Sequence, residues 1–391
     1  MIKTKPIRVL INGLHAKSGG GITYLRSVVP YLAEDPRLEL HLFLHAEQCE
    51  LFLPVDERVR LHVLDFHPGF WRLLLWEQVS LPIIARVMAA DVTFSPANFG
   101  PLLAPRTVIL LRNALAVAGT ERRPMKRLYW AGLGAMTLVS LLGAARAIAV
   151  SEYAKRALSF GLRGRIGRKV SVVHHGVDER FSPGPSGEHG ARYLLAVGDI
   201  YIQKNLLTLI RAFSRVREAH PDMRLRIAGR PIDSGYYAQV LDLVAREELA
   251  ESVEFLNEQS MDRLVSLYRG CAAFVFPSTA ETFGNPLAEA MACSTAIACS
   301  NAAAMPEIVG DTAELFDPSD AGDVAQKICA ILDDPERAER LRAASRARAT
   351  RFSWALTAQK TADVLVAAAG RGAAAPETAG YGAHPEESGS R

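Results

Sequence analysis

The chain has 391 residues, 49% of them hydrophobic, so it can fill more than one core, because single cores stop growing at roughly 250–300 residues. Its formal net charge of +3 is far from the concentrated basic surface of nucleic-acid-binding proteins, which argues against a nucleic-acid partner. Five cysteines without a C-x-x-C pair suggest neither a disulfide framework nor a zinc site, so no metal is expected.

The first predicted strand covers residues 7–11, an apolar run that is too short for the core of a signal peptide. A cytoplasmic location is therefore expected. Gly19, Gly20 and Gly21 follow this strand and precede a predicted helix over residues 22–32. Three consecutive glycines let the backbone wrap around an anion, but the signal alone is weak because the G-x-G-x-x-G spacing of dinucleotide-binding folds is absent.

Strand-like runs alternate with helical or loop-like stretches up to residue 150, which predicts a parallel sheet with helices on both faces. Asn98 follows one of these strands, and Arg112 and Asn113 follow the next. Ligands of such sheets bind beyond the carboxyl ends of the strands, so these three side chains are candidates for a substrate site. The predicted strands are residues 40–44, 60–64, 92–94, 108–111 and 147–150.

The most nearly membrane-like stretch, residues 130–143, is too short to span a bilayer, which takes about 20 residues. A basic and aromatic segment, residues 122–130, leads into it and suits the surface of an anionic membrane. Two interpretations stay open here: a buried core helix with a solvated basic start, and peripheral contact with the inner face of the plasma membrane.

Residues 170–178 end the first predicted domain, which covers residues 1–180. Its adjacent histidines, His174 and His175, do not indicate a metal site, because neighbouring residues on a strand point to opposite faces and no third ligand is close in sequence. We expect a structural or donor-contacting role for His175. Turn-forming residues from 181 to 190 predict the linker to the second domain.

The second predicted domain, residues 191–350, repeats the pattern of the first, and its first strand leads into Gly198. Lys204 and Asn205 follow at the start of a helix, where a lysine is well placed to neutralise a diphosphate. Arg230 lies after the next strand and is a second candidate for phosphate or base contact. A lone surface lysine is more often merely solvated, so the assignment of Lys204 depends on the motifs around it.

The most informative segment, residues 277–289, has the sequence Pro-Ser-Thr-Ala-Glu-Thr-Phe-Gly-Asn-Pro-Leu-Ala-Glu. It follows an apolar strand at 272–276 and enters a helix, so it predicts a strand, a loop and a helix that face a cleft. Gly284 and the amides after it are suited to a phosphate, and Glu281 and Glu289 are suited to sugar hydroxyls. On spacing alone, a solvated helix face is an equally good explanation of the two acids.

The remaining sequence predicts the end of the second domain and a final helix. The predicted elements are a strand at 296–299, a turn at Met305, Pro306 and Glu307, helices at 323–332 and 337–350, and a last helix within 351–369. Residues 370–391 are rich in Gly, Ala, Pro, Glu and Ser, which predicts a disordered tail.

These features together resemble the retaining glycosyltransferases of family 4, also described as glycosyltransferase group 1. Phe283, Gly284, Pro286 and Ala290 match the family around the two glutamates, and further matches follow in the family's order at Gly20, Ser151, Glu152, Gly176, Val177, Asp178, Gly198, Lys204 and Asn205. The resemblance covers roughly residues 13–354. It implies an α/β GT-B fold, in which two Rossmann-like doubly wound domains face each other across a cleft and a C-terminal helix crosses back to the first domain.

The resemblance also implies a function, namely transfer of a hexose, such as mannose, from a nucleotide-diphosphate sugar to a lipid-linked or polysaccharide acceptor in bacterial cell-surface glycan synthesis. Retention of configuration and independence of metals and other cofactors follow from it. Glu289 would hold the nucleotide ribose, and Glu281 and Lys204 would be catalytic. The implied donor-binding residues are Gly20, Gly198, Lys204, Asn205, Arg230, Phe283, Gly284, Asn285, Pro286, Leu287 and Glu289. The implied acceptor-binding residues are Asn98, Arg112, Asn113 and His175.

The chain departs from the family at Arg112 and Asn113, where the family often carries His-Asp. This departure puts any base role on the first domain in doubt. One alternative, a nucleotide-sugar-binding protein without turnover, is encouraged only by this departure. The other, a GT-B nucleotide-sugar epimerase or hydrolase, is disfavoured by the continuous motif from Glu281 to Glu289. A nicotinamide-dependent oxidoreductase is disfavoured by the glycine spacing of the first loop.

Overall fold

The computed structural model describes residues 5–16, 19–66, 69–112, 124–159, 164–184 and 191–370, which form two parallel sheets with helices around them. The strands of the first sheet are β1 (Ile7–Asn12), β2 (Leu38–His45), β3 (Arg60–Leu64), β4 (Val92–Ser95), β5 (Thr107–Leu111), β6 (Arg146–Ala149) and β7 (Val170–Val172). The strands of the second sheet are β8 (Ala191–Val197), β9 (Arg224–Ala228), β10 (Val253–Asn257), β11 (Cys271–Phe276), β12 (Ile297–Ser300) and β13 (Glu314–Phe316).

Both sheets reverse their strand order at their first strand. The orders are β3-β2-β1-β4-β5-β6-β7 and β10-β9-β8-β11-β12-β13, and every adjacent pair is parallel. In such doubly wound sheets a ligand crevice forms outside the carboxyl ends of the strands at the reversal, here between β1 and β4 and between β8 and β11. The expected architecture of two Rossmann-like domains is confirmed.

Helices cover both faces of each sheet, so the central strands are buried on both sides and read as continuous apolar runs. All four residues from Val108 to Leu111 have no exposed surface, and Phe274 and Phe276 on β11 are 0% and 1% exposed. The helices are α1 (Gly20–Ala33), α2 (Cys49–Phe52), α3 (Phe70–Leu75), α4 (Leu81–Val87), α5 (Pro124–Gly143), α6 (Glu152–Leu158), α7 (Arg165–Lys169), α8 (Leu206–Ala219), α9 (Ser234–Arg246), α10 (Met261–Gly270), α11 (Asn285–Ala292), α12 (Met305–Val309), α13 (Ala321–Leu332), α14 (Pro335–Ala349) and α15 (Trp354–Ala368). A π-helical segment, Trp76–Ser80, joins α3 to α4.

The last helix, α15, returns to the first domain as expected and packs against α1, where the hydroxyls of Tyr24 and Thr361 lie 3.4 Å apart. The segment that leaves the first domain and the segment that returns to it run side by side, and the Val177 amide donates to the Phe352 carbonyl at 3.1 Å. A Cβ on Gly176 would lie 2.2 Å from the backbone nitrogen of Trp354. Glycine is therefore required at position 176, where the two backbone segments touch.

Several local expectations are wrong or incomplete. The turn predicted at Met305–Glu307 is wrong, because Pro306 suits the first turn of a helix and these residues begin α12. His174 and His175 do not lie on a strand, since β7 ends at Val172. The sequence did not anticipate β13 or α9.

In the described ranges, no helix is both long enough and apolar enough to cross a membrane. The disordered tail predicted from residue 370 falls, apart from Gly370 itself, on residues outside the described part of the chain.

Candidate functional site

The predicted donor loop lies at the switch point of the second sheet, directly after β11. Its neighbour across the reversal is the loop after β8, which begins at Gly198. Gly198 and Gly229 have φ angles of 144° and 155°, and a Cβ on Gly229 would lie only 2.1 Å from the Gly198 carbonyl oxygen. The loops after β8 and β9 therefore touch backbone to backbone, which only glycine permits.

Lys204 and Glu281 form the central charged pair of this edge. The Lys204 ammonium donates to Glu281 Oε1 at 2.6 Å, and their side chains are 12% and 19% exposed. The ammonium also lies 4.9 Å from the centre of the Phe276 ring. Burial lowers the pKa of Lys204, but the carboxylate of Glu281 more than offsets it, so the pKa of Lys204 is raised and the lysine stays charged. The two catalytic candidates are thus brought together from positions 77 residues apart.

Glu289 lies one turn into α11, partly buried beside Tyr268 of α10. The Tyr268 hydroxyl donates to Glu289 Oε2 at 2.9 Å. Burial raises the pKa of Glu289 to about 7, against the lowering effects of the Tyr268 hydrogen bond and the Lys204 charge. This carboxyl group therefore titrates near neutral pH, as groups at binding sites often do.

The start of α11 combines a glycine bend with buried packing. Gly284 has a φ of 88° and precedes the first turn, where Pro286 occupies a position that needs no amide hydrogen. Phe283 and Leu287 are buried, at 3% and 0% exposure, so their side chains anchor the loop. Asn285 faces the other domain, since its Oδ1 lies 3.1 Å from His175 Nδ1.

Asn205 and Arg230 hold different positions in the second domain. The Asn205 side chain donates to the carbonyls of Pro277 and Pro318 at 3.2 and 2.7 Å, and its residue has a left-handed φ of 53°. It therefore ties the donor loop to the loop after β13. Arg230 is half exposed, 3.6 Å from Asp199.

On the first domain, Arg112 lies against the glycine-rich start of α1. A Cβ on Gly21 would come within 2.6 Å of the guanidinium, while Gly20 is exposed beside it. The Arg112 amide donates to Asn98 Oδ1 at 2.9 Å, which joins two of the acceptor candidates. Burial lowers the pKa of Arg112, and no carboxylate of the described ranges pairs with its guanidinium. Asn113 lies outside the described residues.

His175 is enclosed rather than open to the cleft, with 6% of its surface exposed. Its ring packs against Tyr24, Phe283 and Trp354, with ring centres 5.1 to 5.8 Å away. Burial lowers the pKa of His175 to about 4, so the ring is neutral at pH 7. Its contacts favour a structural role at the junction of the two domains and α15.

Two further contacts join the domains beside the donor loop. Glu307 accepts from the amides of Glu152 and Tyr153 at 2.8 and 3.0 Å and pairs with His174 Nε2 at 2.9 Å. Thr282, the residue after Glu281, donates its hydroxyl to the Arg112 carbonyl. The carboxyl edges of the two sheets therefore meet at the loop that carries Glu281.

Sequence reasoning missed Tyr268 and Thr282 as site residues. Tyr268 belongs to an amphipathic helix whose buried face gives no sign of which residue reaches Glu289. Thr282 lies inside the motif but has no chemistry of its own that suggests contact with the other domain. Only the packing of helices and loops identifies them.

One group of potential metal ligands lies at the opposite edge of the second sheet. The ligand atoms of His220, Cys329 and Asp333 come within 4.8 Å of one another, although the sequence suggested no metal site. His220 precedes β9 and therefore lies at the amino edge of the parallel sheet, whereas Glu281 follows the carboxyl edge. This group is not part of the donor edge.

Comparison with known proteins agrees with this geometry. Residues 178–348 match the family model described as "Glycosyl transferases group 1". The chain carries a glycosyltransferase group 1 domain. The match begins at the end of the first domain and covers the loop after β11, together with Lys204 and Glu289.

Proteins of known name are also similar to this chain in sequence. The D-inositol 3-phosphate glycosyltransferase of Mycolicibacterium smegmatis is 32% identical over 68% of this chain and 60% of its own length. The O-antigen chain mannosyltransferase B of Escherichia coli is 32% identical over 41% of this chain and 42% of its own. The chain thus spans about two to three fifths of the length of these relatives.

A solved structure shows that the resemblance of fold reaches beyond the group 1 domain. Anabaena HepE, crystallised with UDP and glucose, superposes with a TM-score of 0.71 over 92% of this chain and 99% of that one, at 18% identity. The fold is the GT-B fold.

Proposed function

We propose that this chain is a retaining hexosyltransferase that uses a nucleotide-diphosphate sugar as its donor. The ion pair between Lys204 and Glu281, 2.6 Å long and next to Gly198, carries the proposal. A glycosyl transfer of this kind has to stabilise a leaving diphosphate and a positively charged sugar ring, so it needs a cation and a carboxylate side by side. The group 1 domain supports the same reaction class.

In the proposed complex, the donor diphosphate lies between Gly198 and the amino end of α11. Lys204 turns from Glu281 to the phosphate oxygens, and Glu281 then accepts hydrogen bonds from the donor hexose. Lys204 keeps an anionic neighbour throughout, and hydrogen bonds from the sugar hydroxyls replace the ammonium at the Glu281 carboxylate. Backbone amides and Arg230 meet the remaining phosphate charge, and we therefore expect no requirement for a metal or another cofactor.

Glu289 holds the nucleotide ribose in this proposal. A carboxylate with one oxygen bound by Tyr268 retains acceptor positions for two neighbouring hydroxyls. Glu289 lies one helical turn after Gly284 on α11. In the proposed complex the diphosphate therefore lies between Glu281 and Glu289.

Retention follows if the leaving group acts as the base. The bond between the anomeric carbon and the phosphate oxygen breaks, and the departing phosphate takes the proton of the acceptor hydroxyl on the same face. The new carbon–oxygen bond therefore forms on the face from which the diphosphate leaves. This route needs no histidine at the position of Arg112.

The acceptor lies on the first domain, beside Asn98, Arg112 and the start of α1. In this proposal the acceptor is a lipid-linked molecule or a polysaccharide of bacterial cell-surface glycans. The transferred sugar is mannose or a similar hexose. The similarity to the O-antigen chain mannosyltransferase B supports both choices.

Peripheral contact of the first domain with the inner membrane face is part of this proposal, and exposed apolar side chains support it. Met125, Leu128 and Tyr129 at the start of α5 are 77%, 68% and 63% exposed. A second exposed row runs along residues 70–87 at four-residue spacing, formed by Trp71, Leu75, Val79, Ile83 and Val87. Sedimentation with phosphatidylglycerol vesicles, compared with phosphatidylcholine vesicles, tests this contact, and Leu128→Ser is expected to weaken it.

Thermal stabilisation by a panel of nucleotide sugars tests the function. UDP-glucose, GDP-mannose and dTDP-rhamnose are compared with NAD, each with and without EDTA, because ligand binding raises stability by mass action. We expect one nucleotide sugar to stabilise the protein regardless of EDTA. Lys204→Ala should abolish the shift and the exposed-lysine control Lys360→Ala should keep it. Stabilisation by NAD alone, or by no nucleotide sugar, would overturn the proposal.

A further inference from the structure

A buried polar cluster occupies the switch point of the first sheet, opposite the donor loop. Asn12 ends β1 and Ser95 ends β4, the two strands between which the crevice of this domain opens. The Asn12 amide donates to Ser95 Oγ at 3.3 Å and to Glu77 Oε1 at 2.9 Å. All three residues have no exposed surface.

Glu77 brings a carboxylate into this cluster from the π-helical segment Trp76–Ser80. Such π segments are rare and often lie at functional sites. Glu77 Oε1 also lies 2.9 Å from His15 Nε2, whereas Oε2 is buried without a hydrogen-bond partner. A carboxylate that served only to hold the fold would be expected to have both oxygens paired.

His15 lies at the rim of the cluster, with 16% of its side chain exposed. Because Nε2 faces a carboxylate, the neutral form of the ring carries its proton there and leaves Nδ1 as a hydrogen-bond acceptor. Within the described ranges, Nδ1 has no hydrogen-bond partner. The ring also meets Phe99 edge to face, with centres 4.7 Å apart.

The loop that carries His15 is held in place by hydrogen bonds from Gln48. The buried side chain of Gln48 donates to the carbonyls of Gly13, Leu14 and Ala16, at 3.3, 3.5 and 2.9 Å. The imidazole is therefore fixed in both position and proton arrangement before any ligand arrives, which is what a binding group requires.

The cluster shares an edge with the acceptor candidates. In the strand order β1-β4-β5, Arg112 follows β5, two strands from Asn12, or about 10 Å at the usual strand spacing. Arg112 in turn accepts the Thr282 hydroxyl from the donor loop. His15 thus follows the same carboxyl edge of the first sheet that carries Arg112.

We propose that His15 Nδ1 accepts a hydrogen bond from a hydroxyl of the acceptor sugar, and that Glu77 holds the imidazole in the tautomer able to do so. The inference rests on the proposed function and names a part of its acceptor site. His15 is a binding residue and Glu77 a positioning residue. The acceptor hydroxyl keeps its proton in this contact, and no bond changes at His15.

The tautomer is tested without substrate by ¹⁵N NMR of histidine-labelled protein, with His15→Gln assigning the resonances. We expect the proton of His15 on Nε2, and Glu77→Gln to shift both ring nitrogens toward the mixed pattern of a free imidazole. His220→Gln is the matched control, because His220 pairs with Asp333 at 3.1 Å on the second domain. A proton on Nδ1, or a spectrum insensitive to Glu77→Gln, would overturn the assignment.

Acceptor contact is tested with octyl α-mannoside and octyl β-glucoside, added to protein saturated with the donor that stabilises it. One of them should shift the Nδ1 resonance. In nucleotide-release assays, His15→Gln and Glu77→Gln should raise the acceptor KM about three- to tenfold with kcat little changed, because each variant weakens one hydrogen bond to the acceptor. Donor stabilisation should be unchanged in every variant. An unshifted Nδ1 or an unchanged KM overturns the inference alone, whereas absence of donor binding in the wild type overturns the proposed function.

Discussion

Replacement of Tyr268 by Phe should move the pH dependence of donor binding. The buried hydroxyl donates to Glu289 Oε2 at 2.9 Å and is one of the groups that keep the Glu289 pKa down to about 7. A hydrogen bond to a charged group contributes about 1.5–3 kcal/mol, and one pKa unit corresponds to about 1.4 kcal/mol. Its loss should therefore raise the Glu289 pKa by roughly one to two units.

Titration calorimetry with the stabilising nucleotide sugar, from pH 6 to 9.5, measures the effect. In the wild type, affinity should rise about tenfold from pH 6 to 8 as Glu289 ionises, because the ionised carboxylate binds the ribose. In the Tyr268→Phe variant the rise should be centred between about pH 8 and 9, and affinity at pH 7 should fall roughly 5- to 50-fold. The diphosphate of a nucleotide sugar has no proton to lose in this range.

Glu289→Gln is the control, since it keeps the shape and removes the ionisation, and its affinity should be low and flat with pH. Folding stability gives an independent check. The pKa of Glu289 is raised from 4.5 to about 7, so its linked stability is present below pH 4.5 and is lost as the pH rises through 7. Identical binding midpoints in the wild type and the Tyr268→Phe variant would refute the reasoning.

Substitutions at three further positions test the framework of the site by denaturant unfolding. Gly176→Ala should cost about 1–3 kcal/mol or more, because its Cβ would lie 2.2 Å from the Trp354 backbone nitrogen; an unchanged midpoint would contradict the close approach. Glu307→Gln should cost about 1–3 kcal/mol at neutral pH. In the wild type, burial raises the pKa of Glu307, but its hydrogen bonds lower the pKa by more, so the net pKa is lowered. This contribution to stability is therefore present above pH 4.5 and is lost as the pH falls below it, and equal losses at pH 7 and 3 would speak against it. Asn205→Ala should destabilise by about 1–3 kcal/mol and Asn205→Gly by less, since both lose the side-chain hydrogen bonds but glycine keeps the left-handed φ of 53°; a larger loss in Asn205→Gly would contradict this reasoning.

The sequence predicted most of the fold and the edge of the second sheet on which the second-domain candidates lie. Alternating apolar runs and glycine-marked strand ends fix which residues reach the carboxyl edge of a parallel sheet, so the edge positions of Lys204 and Glu281 followed from pattern and resemblance. Their 2.6 Å contact needed the structure, because it depends on how the loops after β8 and β11 bend.

The first-domain half was less accessible to sequence reasoning. Glu77 reaches His15 from 62 residues away through a π segment, and no local pattern marks such a segment. His175 looked like a ligand-contacting residue by its place in a motif, yet three aromatic rings enclose it. Spacing along the chain gives the edge on which a residue lies, whereas side-chain direction depends on packing between distant elements.

The return of α15 to the first domain bears on how the protein is made. Thr361, Ala362 and Leu365 are buried, and the helix they belong to covers α1 and touches β4, β5 and β6, all of which leave the ribosome long before it. At 5–20 residues per second, synthesis from residue 180 to residue 368 takes roughly 10–40 s. For that time the nascent first domain carries an uncovered apolar surface, so its cooperative folding has to wait until α15 has been made, and a chaperone can bind there in the meantime.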